Sequence, residues 1–370
     1  MINKGRKKNK FLFLSLIILL VNGCISAKSS NFPQGFSLSQ HFPGQILNVP
    51  FIKQKKAYCG PAALCSVLNY WKFFCTQETI AQKIYQPDLR GVLNVSLQRY
   101  AQEQGFWAKS YQGSFKRLKE FLKNGHPVIV IEKLHPYILN RRHYVVIVGF
   151  REDEKLILEH TGKQAFVRRS YHGFLRNWQC AGKWMLVVCP PEKVNFTLTT
   201  LEEYLELGVM LEKKEFFDLA LNNYHNALNL QKDNPVILFN IGNIYLKTKL
   251  WDKAEQSYLR AIDLKEDFAD CSNNLSYVYL NKANYDLAYL YIEKALADSI
   301  GQKRFFYLDT KAQIFFKQGK YKDAIKFFKM AEHSAKSVSR ENMNKFYQIW
   351  EENFKKINRI DSLSQQFLIK

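Results

Sequence analysis

The sequence predicts an α+β domain followed by an all-α solenoid, and three observations carry that reading. Between residues 49 and 188 helical patterns come first and short β-branched runs afterwards, the order of an α+β domain rather than of alternating βαβ units. The run Cys189-Pro190-Pro191-Glu192 then breaks the pattern and opens a linker. Beyond it, small and aromatic residues recur every thirty-four positions.

Taken in order, the chain begins with a targeting segment, residues 1–23. Lys4, Arg6, Lys7, Lys8 and Lys10 form a basic start with no acid among them, and the apolar stretch 11–21 follows. Eleven residues are too few to span a bilayer. Val21-Asn22-Gly23-Cys24 resembles the lipobox of bacterial lipoproteins, which implies that Cys24 is lipidated and becomes the new N-terminus. Ile25 is not the aspartate that retains such proteins in an inner membrane, so a two-membrane cell is expected to place the chain on the periplasmic face of its outer membrane. Residues 24–45 read as a polar, Pro- and Gly-punctuated tether.

The α+β domain is expected over 46–191. Ala63, Leu64, Val67 and Leu68 share one face of a helix over 60–74. Shorter helices are expected over 79–84 and 95–104. Ser114 caps a helix over 115–123, and Gly125 follows its end. The runs 128–132, 143–150, 155–159 and 184–188 are short and rich in β-branched residues, and they predict strands.

The solenoid is expected over 198–370. Gly208, Ala220, Tyr224 and Ala227 are echoed by Gly242, Ala254, Tyr258 and Ala261, then by Ser276, Ala288, Ile292 and Ala295. After a two-residue insertion come Ala312, Ala324, Phe328 and Ala331. Small residues at this period let paired helices cross closely, and the pattern is similar to tetratricopeptide repeats, about four of them. Residues 341–357 would be the polar-faced capping helix that such stacks need.

Composition narrows the function classes. The 370 residues suit about two domains. The net charge of +21 invites a nucleic-acid reading, but the lysines are scattered and interleaved with glutamates on exposed helix faces. No specific nucleic-acid partner is expected. The seven cysteines, Cys24 and Cys59 set aside, leave an odd remainder at irregular spacing, which is no disulfide framework. Neither Cys-x-x-Cys nor a metal-spaced His/Cys cluster occurs, and no cofactor or metal is expected. Cys65 and Cys75 read as small buried hydrophobes.

Chemistry concentrates on Cys59. It opens a predicted helix, where unpaired N–H groups and the macrodipole favour a thiolate. Gln54, five residues earlier, offers a side-chain amide to an oxyanion, together with the Cys59 N–H. Among eight histidines, His143 begins a strand of nearly unbroken apolar residues and is the expected base. His126, His135 and His172 read as loop residues.

Gln-x4-Cys-Gly-Pro-Ala-Ala-Leu (54–64), Gly-His-Pro-Val-Ile-Val (125–130) and His-Tyr-Val-Val-Ile-Val-Gly-Phe (143–150) together resemble bacteriocin-processing double-glycine peptidases and their stand-alone relatives in the papain-like clan. The resemblance covers 49–188. It implies a papain-like fold with catalytic Cys59 and His143 and with Gln54 as oxyanion donor. Such enzymes carry an aspartate on the strand after the histidine. Here that place falls on His160 or, by one residue, Glu159, and the third position stays open between them. The expected function is a membrane-tethered cysteine peptidase acting on a peptide or protein, with the repeats recruiting substrate or a protein partner. An inactive peptide-binding scaffold is the alternative, and a transglutaminase-like or amidase reaction on the same dyad is a third reading.

Overall fold

The computed structural model describes residues 44–134, 141–297 and 304–336. The lipidation site Cys24, His135 and the expected capping helix over 341–357 lie outside them.

In the first domain β1 (Gly44–Ile46) precedes three helices, α1 (Cys59–Tyr70), α2 (Gln77–Ile84) and α3 (Asn94–Glu103). Next come β2 (Trp107–Gln112), α4 (Phe115–Lys123), β3 (Val128–Leu134), β4 (Arg141–Arg151), β5 (Leu156–His160) and β6 (Val167–Ser170). Helix α5 (Tyr171–Cys180) and β7 (Trp184–Cys189) complete it. The seven strands form one sheet in the order β2-β7-β3-β4-β5-β6, and β1 joins β4 beyond the point where β3 stops. Every pairing is antiparallel. The expected α+β order holds, and the apolar runs of β3, β4 and β7 form the buried centre.

The sequence reading differs from the fold in several places. Strand β1 begins at Gly44, inside the expected tether, because its backbone pairs with 149–151 of β4. Strands β2 and β6 and helix α5 were not expected. Each is short and half polar, and β2 and β6 lie at the sheet edges, where one strand side has no partner. His172 consequently lies in α5, not in a loop. His126 is buried, and its Nε2 meets Asn195 Oδ1 at 2.6 Å.

Among the described residues the second part is four helical hairpins. They are α6/α7 (Leu201–Lys213, Phe217–Leu230), α8/α9 (Pro235–Lys247, Trp251–Leu264), α10/α11 (Ala269–Asn281, Tyr285–Ala297) and α12/α13 (Arg304–Lys317, Tyr321–Lys336). The thirty-four-residue period has a direct steric cause. A Cβ at Gly208 would come within 2.4 Å of the Tyr224 ring, and one at Gly242 within 2.5 Å of Tyr258. In the third hairpin Ser276 replaces the glycine and donates its hydroxyl to the Ala288 carbonyl at 2.6 Å.

The two parts meet through polar contacts. Tyr111 Oη donates to Glu203 Oε1 at 2.6 Å, and Lys109 Nζ lies 3.0 Å from Glu206 Oε2.

Candidate active site

Cys59 is the first residue of α1, and its helix begins on the carbonyl of Tyr58, which accepts from the Ala62 N–H at 2.9 Å. The Cys59 and Gly60 amides therefore have no intrahelical acceptor, and Pro61 has no N–H to leave unpaired. The segment before it is held by three hydrogen bonds. Buried Gln77 accepts from the Lys55 N–H and donates to the Lys53 carbonyl, both at 2.9 Å. The Gln54 N–H donates to the Gly162 carbonyl at 2.8 Å. Ala57 stands at φ 66°, a left-handed conformation that costs a non-glycine residue about 1–2 kcal/mol. These clamps sustain that turn and aim Cys59 at β4.

His143 sits on β4 directly opposite Glu132 of β3. Its Nε2 lies 2.6 Å from the carbonyl oxygen of Thr161 and donates to it. That bond leaves Nδ1 to the thiol. Burial works against the Cys59 thiolate, but the hydrogen bond to His143, a backbone hydrogen bond from Tyr144, the imidazolium charge and the Gly60 N–H outweigh it. The thiol pKa is held below its ordinary value. Burial also disfavours the His143 cation, and here the Cys59 and Thr161 hydrogen bonds and the charges of Cys59 and Glu132 prevail, raising its pKa. Each group stabilises the charged form of the other.

The expected third members are otherwise engaged. Glu159 does share a sheet face with His143, since it pairs with Ile147 of β4. Its Oε1, however, accepts from Arg169 Nε at 2.8 Å. His160 pairs with Val146 and so faces the other side of the sheet. Its Nδ1 accepts from the Phe166 N–H at 3.2 Å, and its Nε2 donates to the Val49 carbonyl at 2.9 Å. The acceptor on His143 is thus a main-chain oxygen, one residue past the expected place. Gly162 follows it at φ 78°, and a Cβ there would press on the Gln54 side-chain amide, so a larger residue strains the turn and displaces Gln54.

Glu132 is the residue that sequence reasoning passed over, although a carboxylate closing the apolar run 128–131 was a signal. Both of its oxygens are buried without an N–H or O–H donor, and so is Glu159 Oε2. Burial and the charge of Glu159 raise the Glu132 pKa to about 8, and burial raises that of Glu159 against its hydrogen bond to Arg169. Arg169 carries the balancing positive charge.

The Cys59–His143 pair stands between two cavities that share Arg142. Gln54 and His143 line one of about 960 Å³, whose rim carries Lys53, Lys55, Lys56 and Lys163. Cys59 opens into the other, of about 530 Å³, walled by Leu89, Val92, Leu93, Val95, Ile131 and Tyr144. The structure thus brings Gln54 to the histidine's cavity and Cys59 to its neighbour. Among the described residues no group of three or more His, Cys, Asp or Glu side chains is placed to hold a metal, and no helix is long and apolar enough to cross a membrane.

A thiol on a helix N-terminus facing a histidine on an antiparallel sheet defines a papain-like arrangement. Residues 46–185 match the Peptidase_C39 like family, and residues 237–272 match the tetratricopeptide repeat model. The chain carries a Peptidase_C39-like domain followed by tetratricopeptide repeats. A Bacillus anthracis structure described as a C39-like peptidase is 19% identical and covers 40% of this chain and 97% of its own, with a TM-score of 0.35. The MamA crystal structure is 18% identical and covers 45% and 90%, with a TM-score of 0.34. Among curated proteins, human protein O-mannosyl-transferase TMTC1 is 34% identical over 100 residues, 26% of this chain and 11% of that protein. The uncharacterized ycf37 protein of Cyanophora paradoxa is 28% identical over 105 residues, 27% and 61%. The chain spans about a tenth of the length of the human relative.

Proposed function

We propose that the chain is a thiol peptidase, tethered to a membrane through a lipid on Cys24, whose repeats recruit its peptide or protein substrate. The observation that carries this reading is the placement of Cys59 at the N-terminus of α1 against His143 of β4, whose Nε2 is held by the Thr161 carbonyl, an arrangement that lowers the thiol pKa and raises the imidazole pKa. The Cys59 thiolate attacks a peptide carbonyl, and the Cys59 N–H and the Gln54 side-chain amide stabilise the oxyanion. His143 passes its proton to the leaving amine, and water then releases the acyl-enzyme. The Thr161 carbonyl keeps the imidazole oriented, a task that aspartate performs in related triads.

The two cavities favour a substrate with apolar residues on one side of the scissile bond and acidic ones on the other. Cleavage of a proteome-derived peptide library by full-length protein and by Cys59→Ala tests both points. Cuts that need Cys59 and show that asymmetry support the reading. A library left intact, with Cys59 unmodified by substrate-like electrophiles, supports the scaffold instead. The anchor is tested separately: fatty-acid labelling should be lost in Cys24→Ala, and labelling that persists there overturns it.

A further inference from the structure

The groove of the repeats contains a cavity of about 600 Å³ between the first helices of three successive hairpins. Phe239 of α8, Asp270 and Tyr277 of α10, and Phe306, Asp309 and Gln313 of α12 contribute to its walls. Its volume is that of a pocket built for a small ligand or a few residues of a peptide.

Its hydrogen-bonding groups do not balance. Asp309 is only 9% exposed. Its Oδ2 accepts from Gln313 Nε2 at 2.7 Å, but its Oδ1 is buried with no donor. Asn273 Oδ1, also on the wall, is a second buried acceptor without a donor. Two nearby donors are already committed. Tyr307 Oη donates to Asp270 Oδ1 at 2.8 Å, and Asn274 Nδ2 donates to Asn243 Oδ1 at 2.9 Å. A buried carboxylate oxygen left in this state is costly unless something supplies a donor.

Charge points the same way. Acids elsewhere in the repeats meet lysines: Glu293 lies 2.5 Å from Lys311, Glu212 is 2.7 Å from Lys247, and Glu255 is 2.6 Å from Lys282. Asp309 has no such partner among the described residues. Burial pushes its carboxyl up to about 6, and only the Gln313 amide opposes the shift. In a chain of net charge +21 this groove is a place where negative charge is left over. The rings of Tyr277 and Phe306, both exposed, border the cavity and suit a cation.

We propose that the repeat groove binds the cationic side chain of a lysine or arginine in a partner polypeptide, with Asp309 as its counter-charge and Asn273 as a further acceptor. This rests on the recruiting role proposed above for the repeats and is independent of Cys59.

The test uses full-length Cys59→Ala protein and fluorescence anisotropy. The probes are labelled decapeptides of one Ala/Ser/Gln host sequence carrying central lysine, arginine, acetyl-lysine, norleucine or glutamate. Lysine and arginine peptides are expected to bind at least about ten-fold more tightly than the acetyl-lysine and norleucine ones. Asp309→Asn should abolish that preference without lowering the melting temperature, since it removes a desolvated charge. Equal binding of lysine and acetyl-lysine, or a preference that survives both Asp309→Asn and Asp309→Ala, overturns the site. Binding of neutral or acidic peptides alone overturns it but leaves the recruiting role standing. Binding of none overturns both.

Discussion

At Cys59 a half-buried sulfur is kept ionisable by groups from two elements, His143 and Tyr144 of β4 and Gly60 of α1. The lowered thiol pKa means that the thiolate survives to lower pH than a free thiol and is lost as pH falls through that value. The raised His143 pKa means that the imidazolium survives to higher pH than free histidine and is lost as pH rises through its own value. The ion pair is stable where the thiol has ionised and the imidazole still holds its proton. Iodoacetamide alkylation of Cys59, followed by peptide mapping against pH, should therefore inflect below the free-thiol value of about 8.5. In His143→Ala only burial and the backbone donors remain, and the inflection should move upward. Behind the pair, Glu132→Gln removes a carboxyl whose charge raises the His143 pKa. Its high-pH limb should shift to lower pH, with kcat reduced about two- to five-fold. Glu159→Ala would leave Arg169 without its buried partner. Because Arg169 is 36% exposed, water softens the loss, and about 2 kcal/mol of stability is expected to disappear in a urea melt.

At the scale of elements, the loop before α1 is where the site gains its rigidity. Gln77→Ala removes two hydrogen bonds to the 53–55 backbone while leaving Cys59 and His143 in place. It should cost about 1–3 kcal/mol and lower kcat more than it raises KM. A near-normal kcat would mean that the clamp is dispensable. Helix α1 also brings Cys65 Sγ within 3.6 Å of Cys75 Sγ. These residues read in sequence as separate buried hydrophobes, because nothing in a ten-residue spacing reveals a loop that folds back. A mild disulfide oxidant should join them, with loss of two hydrogens and no loss of Cys59 thiol.

The same contrast governs what was legible elsewhere. Cys59, His143 and the repeat hairpins announce themselves because helix mouths, apolar strands and close helix crossings demand particular side chains. The partner of His143 Nε2 does not, because a main-chain carbonyl such as that of Thr161 belongs to every residue type. Strands β2 and β6 stayed hidden for a related reason. Edge strands bury only one face and carry no sustained apolar run.

Across the whole molecule, Glu203 ties the sheet to the solenoid. Its carboxylate accepts from Tyr111 Oη and from the Thr199 and Thr200 N–H groups at 2.6, 2.8 and 3.2 Å. Burial raises its pKa, but these bonds together lower it further, so it is held below the ordinary glutamate value. Its stabilising contribution is present above the unfolded-state pKa and is lost as pH falls through the folded-state one. Glu203→Ala should cost about 2 kcal/mol and make the junction more sensitive to limited proteolysis near 195–200. An unchanged digestion pattern would show that the contact does not fasten the two parts. The most direct measurement of the central claim is labelling of reduced, full-length protein with a panel of peptide vinyl sulfones, mapped by mass spectrometry. Cys59 should be modified in preference to exposed Cys180, and His143→Ala, with its fold verified by circular dichroism, should slow that modification at least about a hundred-fold. Labelling that favours Cys180, or that is indifferent to His143, would contradict a nucleophilic Cys59.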